Sequence, residues 1–166
     1  MTTFTSLGQA MADYLTEAGI LALYAWPKGA RSVLKEPTVA VHVSEIAAEA
    51  AGFQNYLGEE YDAAGRAWTE RYGQKAAVKF LLELYSPLDR GEEGCRALLD
   101  QVALALQMGG PAGLRMEKWS MTEPVFEESS GLFRGKVQTL CRCLLVQRQG
   151  ETGVFDGFEV KGGVTV

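Results

Sequence analysis

Residue types that commonly carry chemistry are scarce in this sequence. Its 166 residues include one histidine, His42, and three cysteines, Cys95, Cys141 and Cys143. A zinc site usually takes several His and Cys ligands, and a nucleophilic Cys or Ser needs a base within reach. Cys141-x-Cys143 is half of a metal motif without its second half, so the odd number of cysteines favours reduced thiols packed as small apolar residues. We therefore expect no catalytic, cofactor-binding or metal-binding residues.

Long apolar runs and a basic excess are also missing. No stretch approaches the roughly 18 consecutive apolar residues of a membrane-spanning helix. The first residues, Met-Thr-Thr-Phe-Thr-Ser, do not form the basic segment of a signal peptide. The formal net charge of −5 disfavours general binding to nucleic-acid phosphates or anionic lipid. We expect a protein made and kept in a cytoplasm, with no membrane partner and no sequence-specific nucleic-acid partner.

Two further motifs are interpreted as structural. The acidic pairs lie beside turn or cap signals, where carboxylates are more often solvated than arranged for acid–base catalysis. These pairs are Glu59-Glu60, Glu92-Glu93 and Glu127-Glu128. The segment Gly109-Gly110-Pro111 lacks the Lys-Ser/Thr of a phosphate loop and precedes a predicted strand, so it is interpreted as a connector.

Hydrophobic residues make up 47% of the chain, and their spacing changes along it. Helical spacing predicts one helix that follows a capping signal at Ser6 and ends near Tyr24, before Trp26-Pro27. It predicts a second helix that follows an Asp89 cap and ends at Gly109. Alternation predicts strands over 38–44, 74–85, 114–122 and 133–148, with a bulge or an end at Pro124. The pattern over 45–73 is weaker: 47–51 either prolongs the first strand or forms a turn of helix, 53–61 is predicted as a strand broken at Gly58, and 62–73 as a long hairpin or exposed excursion.

The order of these elements has no regular strand–helix alternation. It predicts an α+β fold, a two-layer sandwich of a mainly antiparallel or mixed β-sheet with two helices packed on one face. We expect one domain over residues 1–150 and an extended C-terminal tail over 151–166, which either forms a short strand or orders only against a partner. The predicted core between sheet and helices comprises Val39, Val41, Val43, Val78, Phe80, Leu82, Leu98, Leu99, Val102, Phe133, Val137, Cys141 and Cys143.

The last strand has an unusual second face. Its residues alternate between a mostly apolar row and a row that mixes cations with large aliphatic side chains. We interpret that row as a subunit interface formed by Arg134, Lys136, Gln138, Leu140, Arg142 and Leu144. Its proposed partners are the acidic segments Glu59-Glu60 and Glu127-Glu128 of a second copy. The alternative places the row in a ring lumen through which DNA passes.

Several segments resemble a known family. They are Pro37-Thr38-Val39-Ala40-Val41, Leu84-Tyr85-Ser86-Pro87, a helix with Leu98, Leu99 and Val102, and Glu123-Pro124-Val125-Phe126 before Gly131-Leu132-Phe133-Arg134. In this order, over residues 5–148, they are similar to tail terminator (tail completion, minor tail) proteins of bacteriophages and phage-derived particles. The resemblance implies a structural subunit without cofactors, in a virion or tail-like particle assembled in a bacterial host. It also implies a self-associated ring, commonly of six copies, on the tail tube protein, with sheath or head-joining proteins as further partners.

Two other functions remain open from the residues themselves. An open sheet face could serve a small ligand- or partner-binding domain without catalysis. An unrecognised hydrolase or transferase site is a third possibility, although the residue inventory gives it little support. Size in solution separates the first two, because a ring supports the structural role and a ligand-binding monomer supports the accessory domain.

Overall fold

Two helices and seven strands make up the fold, in the predicted order except for β1, which the sequence predicts as part of the first helix. The computed structural model describes residues 3–25, 34–149 and 155–161. Its helices are α1 (Thr3–Glu17) and α2 (Gly91–Gln107). Its strands are β1 (Ala22–Tyr24), β2 (Thr38–Ala50), β3 (Tyr56–Asp62), β4 (Ala67–Ser86), β5 (Arg115–Glu127), β6 (Leu132–Gln149) and β7 (Phe155–Lys161). No helix among these residues is long and apolar enough to cross a bilayer.

The strands form a single sheet in the order β1-β2-β4-β6-β5, with β3 paired to β4 and β7 paired to β6. The pairing is antiparallel throughout, except between β1 and β2. Both helices pack on one face of this sheet around a common core. The α+β prediction is therefore confirmed.

The predicted core is confirmed as well. All thirteen residues belong to the cluster between the sheet and the helices; Val43 and Phe133 lie partly exposed at its margin and the other eleven are buried. The cause is the two-residue period of a strand, which sends Val78, Phe80 and Leu82 of β4 to the same side. That side is the one the helices cover, and Phe80 is fully buried there.

Helix α1 ends seven residues before the predicted position near Tyr24. Gly19 has a φ of 84°, the left-handed conformation that glycine adopts without strain. The Gly19 amide donates to the Thr16 carbonyl at 3.0 Å, and the Ile20 amide donates to the Leu15 carbonyl at 3.0 Å. This bond pattern is a Schellman motif, which satisfies the last carbonyls and ends the helix. The chain then forms β1, and the predicted break at Trp26-Pro27 lies outside the described residues.

The predicted cap of α2 is wrong. The residue before the helix is Arg90, and its side chain makes no capping hydrogen bond; Asp89 lies one position too early to cap. Glu92 and Glu93 occupy the first turn instead, where their negative charge interacts favourably with the unpaired amides. The predicted irregularity at Pro124 is confirmed, because β5 continues past it with a register shift between Thr122 and Val125.

Residues 45–73, where the sequence pattern is weak, belong mostly to strands that are longer than predicted. Strand β2 continues to Ala50, six residues beyond the predicted end, and β4 begins at Ala67 rather than Gln74. Strand β3 pairs with the first part of β4 as a hairpin. Strand β7 pairs with β6 within the segment predicted as a tail, while residues 150–154 and 162–166 of that region lie outside the described residues.

Candidate subunit interface

The sheet face opposite the helices, called here the open face, carries the whole predicted row. A Cβ at Gly135 of β6 would meet the Cys95 sulfur and the Leu99 side chain of α2, so the odd-numbered residues of β6 point toward the helices. The even-numbered residues therefore lie on the open face. The predicted interface residues there are Arg134, Lys136, Gln138, Leu140, Arg142 and Leu144.

One end of this row is already neutralised within the chain. Arg134 forms ion pairs with Glu83 of β4 and Glu127 of β5, the latter at 3.0 Å. His42 of β2 lies 3.0 Å from the Glu83 carboxylate, and the Tyr85 hydroxyl donates to the same carboxylate at 3.3 Å. Only 8% of the Glu83 side chain is exposed. At this end of the open face the charges are therefore paired within the subunit, and the Nε of Arg134 is the one buried side-chain atom of this network without a hydrogen-bond partner in the described structure.

The electrostatics of Glu83 follow from two opposing causes. Burial by itself raises the pKa of this carboxyl, because the charged form loses its hydration. The hydrogen bond and charge of Arg134, helped by His42, outweigh burial, so the pKa of Glu83 lies below its ordinary value. The carboxylate is consequently charged at neutral pH and acts as a structural anchor for Arg134.

The other end of the row is also partly satisfied. The Arg142 guanidinium donates to Glu117 of β5 at 3.1 Å in an exposed pair. Leu144 is only 8% exposed, and Val146 beyond it only 3%. Of the aliphatic residues at 140, 144 and 146, only Leu140 is left for a partner to cover. Their hydrophobicity is therefore a weaker argument for a subunit contact than the sequence indicates.

The middle of the open face has exposed side chains that no other part of the described chain covers. A shallow depression of about 450 Å³ lies there, across β4, β5 and β6. The side chains that line it include Lys79, Leu81, Lys118, Ser120, Gln138 and Leu140. Gln138 and Leu140 belong to the predicted row; the neighbouring strands supply the others. Sequence reasoning missed Lys118 and Leu81 because only the strand register brings them beside β6.

Charge on the open face is opposite in sign to that of the whole chain. In β2, β4, β5 and residues 132–146 of β6 this face carries seven cations, namely Lys75, Lys79, Arg115, Lys118, Arg134, Lys136 and Arg142, and Lys161 of β7 adds an eighth. Five carboxylates accompany them, namely Glu45, Glu49, Glu83, Glu117 and Glu127. Four of the cations, Lys75, Arg115, Lys118 and Lys136, are exposed and form no ion pair with a described residue. A basic face on an acidic chain favours an anionic partner.

The groups that could carry catalysis are dispersed or inert in the described part of the chain. No group of three or more His, Cys, Asp or Glu side chains within it could hold a metal ion. Burial raises the pKa of the thiols of Cys95, Cys141 and Cys143 to about 11, so they are protonated at neutral pH and poorly nucleophilic. The one histidine, His42, is engaged by Glu83.

The acidic segments predicted as partners of the row differ in availability. Glu127 is occupied by Arg134, and Glu60 pairs with Arg71. Glu59 and Glu128 are exposed and have no ion pair or hydrogen bond in the described structure. Within these segments, Glu59 and Glu128 are therefore the carboxylates free to meet a cation of another copy.

Comparisons with known proteins find similarity among solved structures. No family model and no curated protein matches the sequence. The fold is similar to a chain described as the sheath/tube terminator, in its extended state, of an extracellular contractile injection system, PVC. The identity is 13% and the TM-score 0.48; the match covers all of this chain and 62% of the other. Similarity at this level assigns no function by itself.

Proposed function

We propose that this protein is a non-catalytic structural subunit that ends the tube of a phage or phage-like tail. It assembles with further copies into a ring, commonly of six, which stops tube growth and offers a joining surface. The observation that carries the self-assembly is the open face. The other face of the sheet is covered by the helices and forms the core. The open face presents cations that have no ion pair in the described structure, around a depression that includes Leu81 and Leu140.

A tail tube is the proposed partner because the sequence resembles tail terminators over residues 5–148. A terminator must match the tube on one surface and refuse another tube ring on its opposite surface. Sheath or head-joining proteins are the further partners that this role implies. The working place of the protein is then a virion or tail-like particle assembled in a bacterial cytoplasm.

The proposed contact centres on the middle of the row and its neighbours. Lys136 and Lys118 are exposed and unpaired among the described residues, so reversing them leaves the subunit's own ion pairs intact. Reversing Arg134 would instead place a new carboxylate between Glu83 and Glu127 and damage the fold. The informative change is therefore Lys118→Glu with Lys136→Glu.

The test compares assembly of this double variant with that of the parent protein. Native mass spectrometry and negative-stain images are recorded for the protein alone and with tail tubes. We expect rings from the parent and monomers from the variant, because like charges then face each other across a repeated contact. The matched control is Lys35→Glu with Arg90→Glu, two exposed cations outside the row and the depression that form no ion pair in the described structure; it changes the net charge equally and should leave rings intact.

Other outcomes of this test would support a different function. Intact rings from the double variant, with impaired passage or retention of DNA, support the alternative in which the row faces a lumen. A parent protein that neither forms rings nor binds tail tubes refutes the structural role. A parent that stays monomeric and binds a small molecule in the depression favours the ligand-binding domain.

A further inference from the structure

A second feature of the molecule is the hairpin formed by β3 and the first residues of β4, which lies outside the open face. We call residues 56–72 the arm. Its two strands pair only with each other within the described structure, and every residue from Glu59 to Glu70 is exposed. The arm leaves the main sheet at Gly73, close to β6. Any side chain at position 73 would collide with the Leu145 carbonyl of β6. An isolated two-stranded hairpin is only marginally stable in water, so this arm gains from a partner.

One face of the arm has a distinctive composition. Cross-strand pairs share a face, and three such pairs lie in succession along this one. They are Tyr56 with Tyr72, Glu59 with Glu70, and Tyr61 with Trp68. The rings of the first and third pairs meet edge to face, with centroids 5.7 Å and 5.5 Å apart. Two aromatic pairs thus flank two glutamates.

The glutamates between the rings lack a counter-charge. Glu59 lies directly opposite Glu70, and like charges in that position destabilise a strand pair. The Glu70 carboxylate accepts a 2.6 Å hydrogen bond from the Tyr72 hydroxyl, which raises the pKa of that tyrosine. Glu59 has no ion pair or hydrogen bond in the described structure. A cation from another molecule would relieve this repulsion.

The aromatic residues are equally available. Trp68 is 68% exposed and Tyr61 is 51% exposed. Aromatic rings of this kind contribute strongly when they bury their faces against aliphatic side chains or beneath a cation. The depression on the open face offers both, since Leu81 and Leu140 lie in it with Lys79 and Lys118.

The arm cannot reach the depression of its own subunit. Strand β4 contains both Trp68 and Leu81, and the 13 residue steps from one to the other span about 40 Å of extended chain. A second copy does not have this restriction. We infer that the arm of one copy docks on the open face of the next, with Tyr61 and Trp68 in the depression and Glu59 and Glu70 on Lys118 and Lys136.

This inference rests on the proposed self-assembly and specifies its geometry. An arm that meets a different surface makes a heterologous contact, in which each copy contributes its arm to one neighbour and its open face to the other. Repetition of such a contact closes a ring when the rotation between copies permits. The arm carries four carboxylates and two cations, a sign opposite to that of the open face.

A charge swap tests the pairing directly. The arm variant carries Glu59→Lys and Glu70→Lys, and the face variant carries Lys118→Glu and Lys136→Glu. Each variant alone should associate at least about ten-fold more weakly than the parent, because its arm and face then have like charge. An equimolar mixture should recover assembly, since each arm then meets an oppositely charged face. The control Glu17→Lys with Asp100→Lys, on the helices, should assemble as the parent does.

A second measurement follows the aromatic contact. Trp68→Ser should weaken association about ten-fold or more, whereas Leu88→Ser, an exposed apolar residue outside the arm, should not. All variants should melt within about 5 °C of the parent monomer, because the changed side chains are exposed. Most of any difference should come from Glu70, which accepts a hydrogen bond from Tyr72, and from Lys136, which faces Glu83.

The outcomes separate this inference from the proposed function. Normal rings from the arm variant, beside loss of rings in the face variant, overturn arm docking and leave the self-assembly intact. Failure of the mixture to recover also overturns the pairing of arm with face. An arm variant that forms rings but no longer binds tail tubes assigns the arm to the tube protein instead. Normal rings from both variants refute the interface itself.

Discussion

The two faces of strand β4 show how one alternating sequence produces two different surfaces. Toward the helices it presents Ala76, Val78, Phe80, Leu82 and Leu84, all fully buried. Toward the open face it presents Lys75, Ala77, Lys79, Leu81, Glu83 and Tyr85, which range from exposed to buried. The first face derives its free energy from the removal of apolar surface from water. The second depends on which cation meets which carboxylate across the strands, and so on register.

The open face is itself uneven, and this has a consequence for function. Around Glu83 the charges are matched and shielded, whereas around Lys118 and Lys136 they are exposed without partners in the described structure. A network whose charges are paired within the subunit stabilises the fold and offers few charged groups to a neighbour. The exposed middle is the part available for assembly.

The largest effect on stability should come from the helix-covered face. Phe80→Ala removes a fully buried ring and leaves a cavity, which should lower the free energy of unfolding by about 3–5 kcal/mol. Leu81→Ala, one residue along on the open face and half-buried, should cost about 1 kcal/mol. Urea denaturation of both variants measures the contrast. Equal costs would mean that the two faces are buried alike.

The next effect concerns the network of paired charges around Glu83. Glu83→Gln removes the anionic partner of Arg134 and should cost about 2 kcal/mol at pH 7. Because the pKa of Glu83 is lowered in the folded state, its contribution is present above the ordinary value of 4.5 and is lost as the pH falls through the lower folded value. The parent should therefore lose stability on acidification below about pH 4.5, and the variant should lose less.

The control for that network is Glu45→Gln. Glu45 pairs with Lys79 at 2.6 Å, but both side chains are about half exposed, so the change should cost less than about 0.5 kcal/mol. Unfolding measured at pH 7 and pH 3 compares the two variants with the parent. A parallel acid response in the parent and in Glu83→Gln would show that another carboxyl governs it.

A smaller effect is expected where the row is paired at the surface. Arg142→Ala breaks an exposed ion pair with Glu117 and should cost about 0.5 kcal/mol, an amount that salt reduces further. Arg134→Ala should cost several times more, because it strands Glu83 in a site where the carboxylate is 8% exposed. Thermal melts at low and high salt compare the two arginines. Similar costs would contradict the division of the row into a shielded and an exposed part.

The smallest effect on the subunit should be at the proposed contact itself. Lys118→Glu should change the free energy of unfolding of the monomer by less than about 0.5 kcal/mol, since this lysine has no partner in the described structure. Lys136→Glu should cost about 0.5 kcal/mol more, because the new carboxylate faces Glu83 across β4 and β6. Chemical denaturation of dilute, monomeric protein provides the measurement. A large loss would show that these lysines support the fold and would make any assembly defect uninformative.

Much of the fold could be predicted because strand alternation is a local property. The rows Val39, Val41, Val43 and Val78, Phe80, Leu82 identify the buried side of two strands without knowledge of their partners. The ends of the helices were harder to predict. The end of α1 depends on the left-handed conformation of Gly19 and on the burial of Leu15 and Ile20 in the core, whereas the apolar spacing continues through Leu21 and Ala22. Those last residues belong to β1, whose only described partner is β2.

The candidate site was predicted only in part. Alternation placed Arg134, Lys136, Gln138, Leu140, Arg142 and Leu144 on one side of β6, because side-chain direction in a strand has a period of two. Their surroundings come from other strands. The pairing that sets Glu83 opposite Lys136, and Lys118 opposite Leu140, joins residues far apart in the chain. Burial of Leu144 could not be read from its own strand either.

The sequence by itself determined the α+β class, the identity of the core residues and the existence of a cationic row, since each follows from local periodicity and composition. Only the tertiary structure decided which cations are neutralised, where the depression lies and that Glu59 faces Glu70 across the arm. The physical reason is register. Electrostatic and packing energies depend on distances of a few ångströms between strands, and those distances are fixed only when the whole sheet has formed.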